Sequence, residues 1–183
     1  MNGPARSLNL VGEVEYRDEA EAQLAKPGDA VLVVRGRTRS VVMACPDGCG
    51  ETLVVNIDPR AGKAWRIDTR GEGLTLYPSV WRDGGCKSHF IAWRGFLIWC
   101  DRFTFGNREP QYDPSIEEPI LSEMDFSKPL TAAAIAGAID EIVWDVNRAA
   151  NRLVHRGLAR SWKENGTWFF VRVGDRINSG TSK

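Results

Sequence analysis

Through the first hundred residues the apolar positions come in short runs and alternations. Helical spacing dominates only near the C-terminus. Glu13-Val14-Glu15-Tyr16 alternates with period two, the pattern of a strand with one buried face. Asp18 to Ala25, rich in Glu, Ala and Leu, predicts a short helix with Asp18 as its N-cap. Lys26-Pro27-Gly28-Asp29 is a turn signal, and Ala30 to Val34 is an apolar run of strand length. Strands are predicted again over Arg39 to Ala44, Thr52 to Ile57, Ala64 to Asp68 and Leu74 to Trp81, separated by Gly- and Pro-containing turns. Ser88 to Trp93 and Phe96 to Cys100 predict a hairpin around Arg94-Gly95.

The pattern then changes. Pro110, Pro114, Pro119 and Pro129 fall between residues 104 and 129, which read as a linker with one short helix near Ile116 to Met124. Glu117, Glu118, Glu123 and Asp125 fit a solvated surface there. From residue 130 the spacing is helical. Thr131 is a candidate N-cap for Ala132 to Ile139. Val146, Ala149, Ala150, Leu153 and Val154 share one face of a second helix, Val143 to Arg156, which Gly157 ends. Two strands follow, Leu158 to Trp162 and Trp168 to Val173, joined by an Asn165-Gly166 turn. The expected class is α+β: a β-rich domain over 10–103, a Pro-rich linker over 104–129, and a helical unit with a hairpin over 130–176.

Composition narrows the function classes. With 24 basic and 24 acidic residues, the 183-residue chain has no global charge to draw it to nucleic acid or membrane. No apolar run of spanning length occurs, and Met1 to Arg6 is polar and lacks an apolar export signal. The expectation is a cytoplasmic protein with reduced thiols.

Reduced thiols turn attention to the four cysteines. Cys45-Pro46-Asp47-Gly48-Cys49-Gly50 and, some forty residues later, Gly84-Gly85-Cys86-Lys87-Ser88-His89 place close ligand pairs on two turns. A straight strand points neighbouring side chains to opposite faces, whereas a Gly- and Pro-containing turn brings two ligands together. Cys45, Cys49, Cys86 and His89 are therefore the expected ligands of a structural Zn²⁺. Buried apolar cysteines and disulfides are the competing readings of the same residues, and Cys100 competes with His89 for the fourth place. Four protein ligands make a closed site. No His-Glu-x-x-His helix, deaminase pattern or Gly-rich phosphate loop is present, so no catalytic residue is expected.

Two resemblances add to this. The Cys45–Gly50 motif, the Leu74-Thr75-Leu76-Tyr77-Pro78-Ser79 strand, Cys86-Lys87-Ser88-His89-Phe90 and Ile98-Trp99-Cys100 resemble a bacterial family of small predicted metal-binding proteins. Some of its members are encoded beside ubiquitin-like proteins and their activating and conjugating enzymes. The likeness covers about residues 10–103. It implies that Cys45, Cys49, Cys86 and His89 carry the metal, and that the partners are proteins such as a conjugating or activating enzyme. The C-terminal order of helix, turn, helix, Gly and hairpin resembles a winged helix, a fold that binds DNA or docks proteins.

The second helix carries Asn147, Arg148, Asn151, Arg152, His155 and Arg156 on its polar side, and residues 145–183 hold eight basic against three acidic residues. Asn and Arg at such positions can read bases, and Arg172 and Arg176 can add wing contacts. His155 fits a surface residue. The function expected from these readings is an adaptor or ligase-like accessory protein of a ubiquitin-like conjugation system. The alternative is a zinc-containing winged-helix DNA-binding regulator.

Overall fold

Period-two alternation of apolar side chains sorts the N-terminal strands onto two buried faces. In this computed structural model, which describes residues 3–71 and 73–174, the chain divides into two units, Met1–Gln111 and Tyr112–Lys183. The fold is mixed α+β and rich in strands.

The first unit holds two four-stranded sheets. One has the order β1 (Asn9–Val14), β2 (Asp29–Val34), β3 (Thr38–Ala44) and β4 (Thr52–Asn56). β1 runs parallel to β2, and the crossover between them contains α1 (Arg17–Ala20) and a following 3₁₀ turn. The strand thus begins earlier than the alternation at Glu13 suggested. The helix is a single turn capped by Tyr16 rather than Asp18: the Tyr16 amide donates to Glu19 Oε2 at 3.1 Å. The second sheet is β5 (Arg66–Asp68), β6 (Thr75–Trp81), β7 (His89–Trp93) and β8 (Phe96–Trp99), all antiparallel. Arg94 and Gly95, both at positive φ, turn β7 into β8.

Leu32, Val41, Met43, Leu53 and Val55 of the first sheet share one core with Leu76, Phe90, Ala92, Leu97 and Trp99 of the second. Val31, Val33 and Val42 point to the other face of the first sheet and pack with Ala20 of α1. Burial on both faces explains why β2 reads as a continuous apolar run.

The second unit contains α2 (Glu117–Glu123), α3 (Ala132–Ala138), α4 (Val143–His155), and the hairpin β9 (Ala159–Glu164) and β10 (Thr167–Arg172). Between α2 and α3, Leu130 makes an antiparallel bridge to Phe170. Ile120, Ile135, Val146, Leu153 and Phe170 are fully or almost fully buried. The Thr131 side chain accepts the Ala134 amide at 3.1 Å and caps α3. α4 stops where Gly157 takes φ +74: the Leu158 amide donates to Leu153 O and the Gly157 amide to Val154 O, each at 3.0 Å. The segment read as a 104–129 linker is divided between the units, and residues 112–129 belong to the second. Its prolines do not prevent this. Pro119 is the third residue of α2, where its missing N–H would have had no partner within the helix. Arg176 lies outside the described residues.

Candidate functional site

Two turns bring three cysteines together. β3 ends at Ala44, and the Cys45 amide donates to Glu51 O at 2.8 Å while the Gly48 amide donates back to Cys45 O at 3.0 Å. This loop, with Gly48 and Gly50 at positive φ, carries Cys45 and Cys49. The β6–β7 loop is closed by the Arg82 amide on Ser88 O at 3.0 Å and carries Cys86. The Sγ atoms of Cys45, Cys49 and Cys86 lie within 4.8 Å of one another, and Cys45 and Cys86 are 3.6 Å apart. An ion with metal–sulfur bonds of about 2.3 Å in a tetrahedron sets its sulfurs about 3.8 Å apart, so the three cysteines suit a bound metal ion.

Their surroundings differ. Cys45 is buried, Cys86 is half-buried and Cys49 is exposed. Burial pushes the Cys45 thiol up to about 12, against the opposing hydrogen bonds of the Asp47 backbone and the Ser88 hydroxyl. Burial pushes Cys86 up as well, but bonds with the Ser88 hydroxyl and backbone and with Cys45 and Cys49 outweigh it and bring Cys86 down to about 7. Ser88 is fully buried, with its hydroxyl 3.7 Å from Cys45 Sγ. Arg82 Nη1 lies 3.4 Å from Cys86 Sγ and 3.8 Å from Cys49 Sγ.

The two remaining candidate ligands have other neighbours. His89, at the start of β7, places Nε2 3.0 Å from the Ser79 hydroxyl of β6. Cys100 follows β8, is exposed, and has its Sγ 4.0 Å from Ile98 O. Neither belongs to the three-sulfur group.

The Ser79–His89 contact comes from a break in strand pairing. Leu76 pairs with Ala92 and Val80 with Phe90, so three residues of β6 stand opposite Ile91 alone. Pro78, which has no N–H to give the ladder, sits in that bulge. Ser79 is half-buried, and its carbonyl accepts the Trp65 indole N–H at 3.3 Å. Trp81 lies 6.0 Å from the His89 ring, centroid to centroid, and is 66% exposed. A hydroxyl beside an imidazole nitrogen, at a half-exposed position, can act as a nucleophile with its general base. Sequence reasoning passed over Ser79 because no fixed-spacing motif joins it to His89. The signal was a Pro-Ser pair inside a strand facing the His-containing strand across one loop.

Residues 16–100 match the family model described as "Bacterial ubiquitination-like system serine protease (BubE)". The chain is similar to a family of bacterial ubiquitination-like systems. The match covers less than half of the chain, falls within the first unit, and contains Cys45, Cys49, Ser79, Cys86, His89 and Cys100. No curated protein and no solved structure matches the chain.

In the second unit, the polar face of α4 is engaged by residues 112–124 of the same chain. Arg156 pairs with Glu117, and Arg152 Nε is 3.7 Å from Glu117 Oε1. The Tyr112 hydroxyl donates to Glu117. Arg152 and Arg148 lie over the Tyr112 ring at 4.3 and 5.0 Å, and Arg148 Nη2 is 3.6 Å from Asp145. Asn151 donates to the Asn147 carbonyl at 2.8 Å. Arg172 lies 5.3 Å over the Phe126 ring, with Nη1 3.4 Å from Leu121 O. No helix among the described residues is long and apolar enough to cross a membrane.

Proposed function

We propose that the chain is a serine hydrolase of a bacterial ubiquitination-like system, with Ser79 as nucleophile and His89 as general base. The observation that carries this reading is the 3.0 Å contact between Ser79 Oγ and His89 Nε2. The matching family bears the description of a serine protease, and its model spans both residues. With the ring proton on Nδ1, Nε2 accepts the Ser79 hydroxyl proton as Oγ attacks a carbonyl. The imidazolium then returns that proton to the leaving group. A water molecule, activated by the same ring, releases the acyl group from Ser79. The substrates are ester- or amide-linked ubiquitin-like proteins or their precursors.

The metal in this reading is Zn²⁺, held by Cys45, Cys49 and Cys86, and it supplies folding free energy by tying the β3 end to the β6–β7 loop. Reduced ligands call for a reducing compartment, the cytoplasm. A second reading, the accessory adaptor, is favoured by the β9–β10 hairpin, where Trp162 and Trp168 are 38% and 49% exposed and Trp162 stacks on Phe169 at 6.1 Å. Such a surface suits a protein partner, and helix, bridge, helix, helix and hairpin in this order support a winged-helix docking unit. The DNA-binding alternative is the weaker one, because Arg148, Arg152 and Arg156 already engage Tyr112, Asp145 and Glu117.

The test is a fluorophosphonate probe on the full, metal-loaded chain. A single covalent adduct on Ser79, absent in Ser79→Ala and slowed by about a hundredfold or more in His89→Ala, is the expected result. Labelling that persists in Ser79→Ala, or no labelling of a folded protein, overturns the hydrolase reading. Retained binding of a conjugating enzyme by unlabelled protein supports the adaptor.

A further inference from the structure

Trp81, the most exposed tryptophan of the chain at 66%, pairs across the strands with His89. Their rings lie 6.0 Å apart, centroid to centroid, at 39°. Val80 and Phe90, their neighbours along β6 and β7, are buried in the core between the sheets. Alternation therefore turns Trp81 and His89 to the opposite, outer face. A single apolar side chain in water needs no function. Trp81 is set apart by what its register puts beside it, the imidazole whose Nε2 is 3.0 Å from Ser79 Oγ.

The path of the proton decides which part of a substrate reaches Trp81. In the hydrolase reading, His89 takes the Ser79 proton and returns it to the leaving atom, so that atom must come within hydrogen-bond reach of Nε2. The acyl group stays on the Ser79 side, and the chain bonded to the leaving atom extends along the imidazole. Trp81 borders the imidazole with a large apolar surface. Contact with an indole face removes a methylene chain from water, which is favourable; a charged or strongly hydrated group gains nothing from it.

We infer that Trp81 forms the leaving-group subsite of this centre, and that it accepts an unbranched alkyl chain joined to the leaving nitrogen or oxygen, the chemistry of a lysine side chain acylated on Nζ. The inference rests on the hydrolase reading of Ser79 and His89.

The probes are ethyl acetate and hexyl acetate on the full, metal-loaded chain, with acetate release followed by NMR. In both, Ser79 Oγ bonds to the acetyl carbon, the alcohol leaves with the proton from His89, and water then releases acetate. Ethanol and hexanol are alike in acidity, so a rate difference between the esters reports contact with the chain. The kcat/KM is expected to be about tenfold higher for hexyl acetate, four methylenes being partly covered. Trp81→Ala should erase most of that difference by lowering the hexyl acetate value, and Trp81→Phe should keep most of it. Equal rates in wild type overturn the inference, and so does a preference that survives in Trp81→Ala. An equal loss on both esters in Trp81→Ala makes Trp81 a support for His89 and overturns it too. Hydrolysis that persists in Ser79→Ala, or none in wild type, counts against the hydrolase reading instead, and a second measurement then decides the subsite without turnover. In Ser79→Ala, 1-hexanol should shift saturably the indole N–H resonance that Trp81→Phe lacks, and ethanol at equal concentration should shift it far less. No difference between the alcohols overturns the inference whatever the fate of the esters.

Discussion

At the scale of single residues, the same sulfurs that look alike in sequence are prepared unequally by their surroundings. Burial pushes Cys45 up to about 12, so at neutral pH it holds its proton until a metal displaces it. Cys86, held near 7 by the Ser88 bonds that outweigh its burial, gives up its proton readily. Metal and protons therefore compete, and affinity for Zn²⁺ should fall with pH throughout the range below about 12, because of Cys45, and more steeply below about 7, where Cys86 gains its proton as well. Binding at pH 8 should release protons, and Cys45→Ala should reduce that release by about one. Titration calorimetry in buffers of different ionisation enthalpy measures the count. An unchanged count in Cys45→Ala would remove Cys45 from the ligand set. That Cys45, Cys49 and Cys86 come together was legible because Gly and Pro beside a cysteine announce a turn. Where the His89 ring goes was not legible, since the β6 bulge that brings Ser79 to it depends on pairing between strands rather than on any local pattern.

At the scale of elements, α4 shows how a polar helix face can find partners within its own chain. Asn and Arg at helical spacing look like donors waiting for DNA. In the fold Arg148 and Arg152 lie over Tyr112, and Arg152 and Arg156 meet Glu117, both from a Pro-rich stretch that reads as linker. The helix itself was legible from its apolar spacing; its partner was not, because prolines in a first turn and in 3₁₀ turns look the same as prolines in a linker. The contact has a pH signature. Burial first, then the hydrogen bond and charge of Glu117, raise Tyr112 from 10.0 to about 12, against the opposing pull of Arg152. A raised acid favours the fold while protonated. This contribution is complete below pH 10 and disappears as pH rises through about 12. Tyr112→Phe should flatten the loss of stability across that window, measured by denaturant unfolding at successive pH values. An unaltered pH dependence would show that the Tyr112–Glu117 contact does not hold α2 to α4. The β9–β10 turn offers a second check, since Asn165 and Gly166 sit at φ +46 and +80. Gly166→Ala should cost about 1 kcal/mol in chemical denaturation, while Thr167→Ala, beside it, lacks that backbone penalty.

At the scale of the molecule, the two units draw on different sources of stability. The first has a core between two sheets and the three-cysteine cluster at its loop ends; the second packs helices and a hairpin and contains no cysteine. Chelation should therefore act on one unit alone. Removing the proposed metal should lower the thermal midpoint of the first unit by about 10 °C, equivalent to about 2 kcal/mol, and leave that of the second unchanged. Calorimetry of the full chain, with and without chelator, should show one transition moving past a fixed one. The movement has a chemical consequence. Cys86 and His89 are three residues apart, on the short segment that leads into β7. An ion that fixes the first limits where the second can place its ring, so metal loss should also loosen the Ser79–His89 contact. Fluorophosphonate labelling of Ser79 should slow on chelation and recover on adding Zn²⁺, while Cys45→Ala should stay slow in either condition. Labelling that proceeds at full rate without metal would separate the two halves of this unit, leaving the cysteines a structural clip with no hold on the nucleophile.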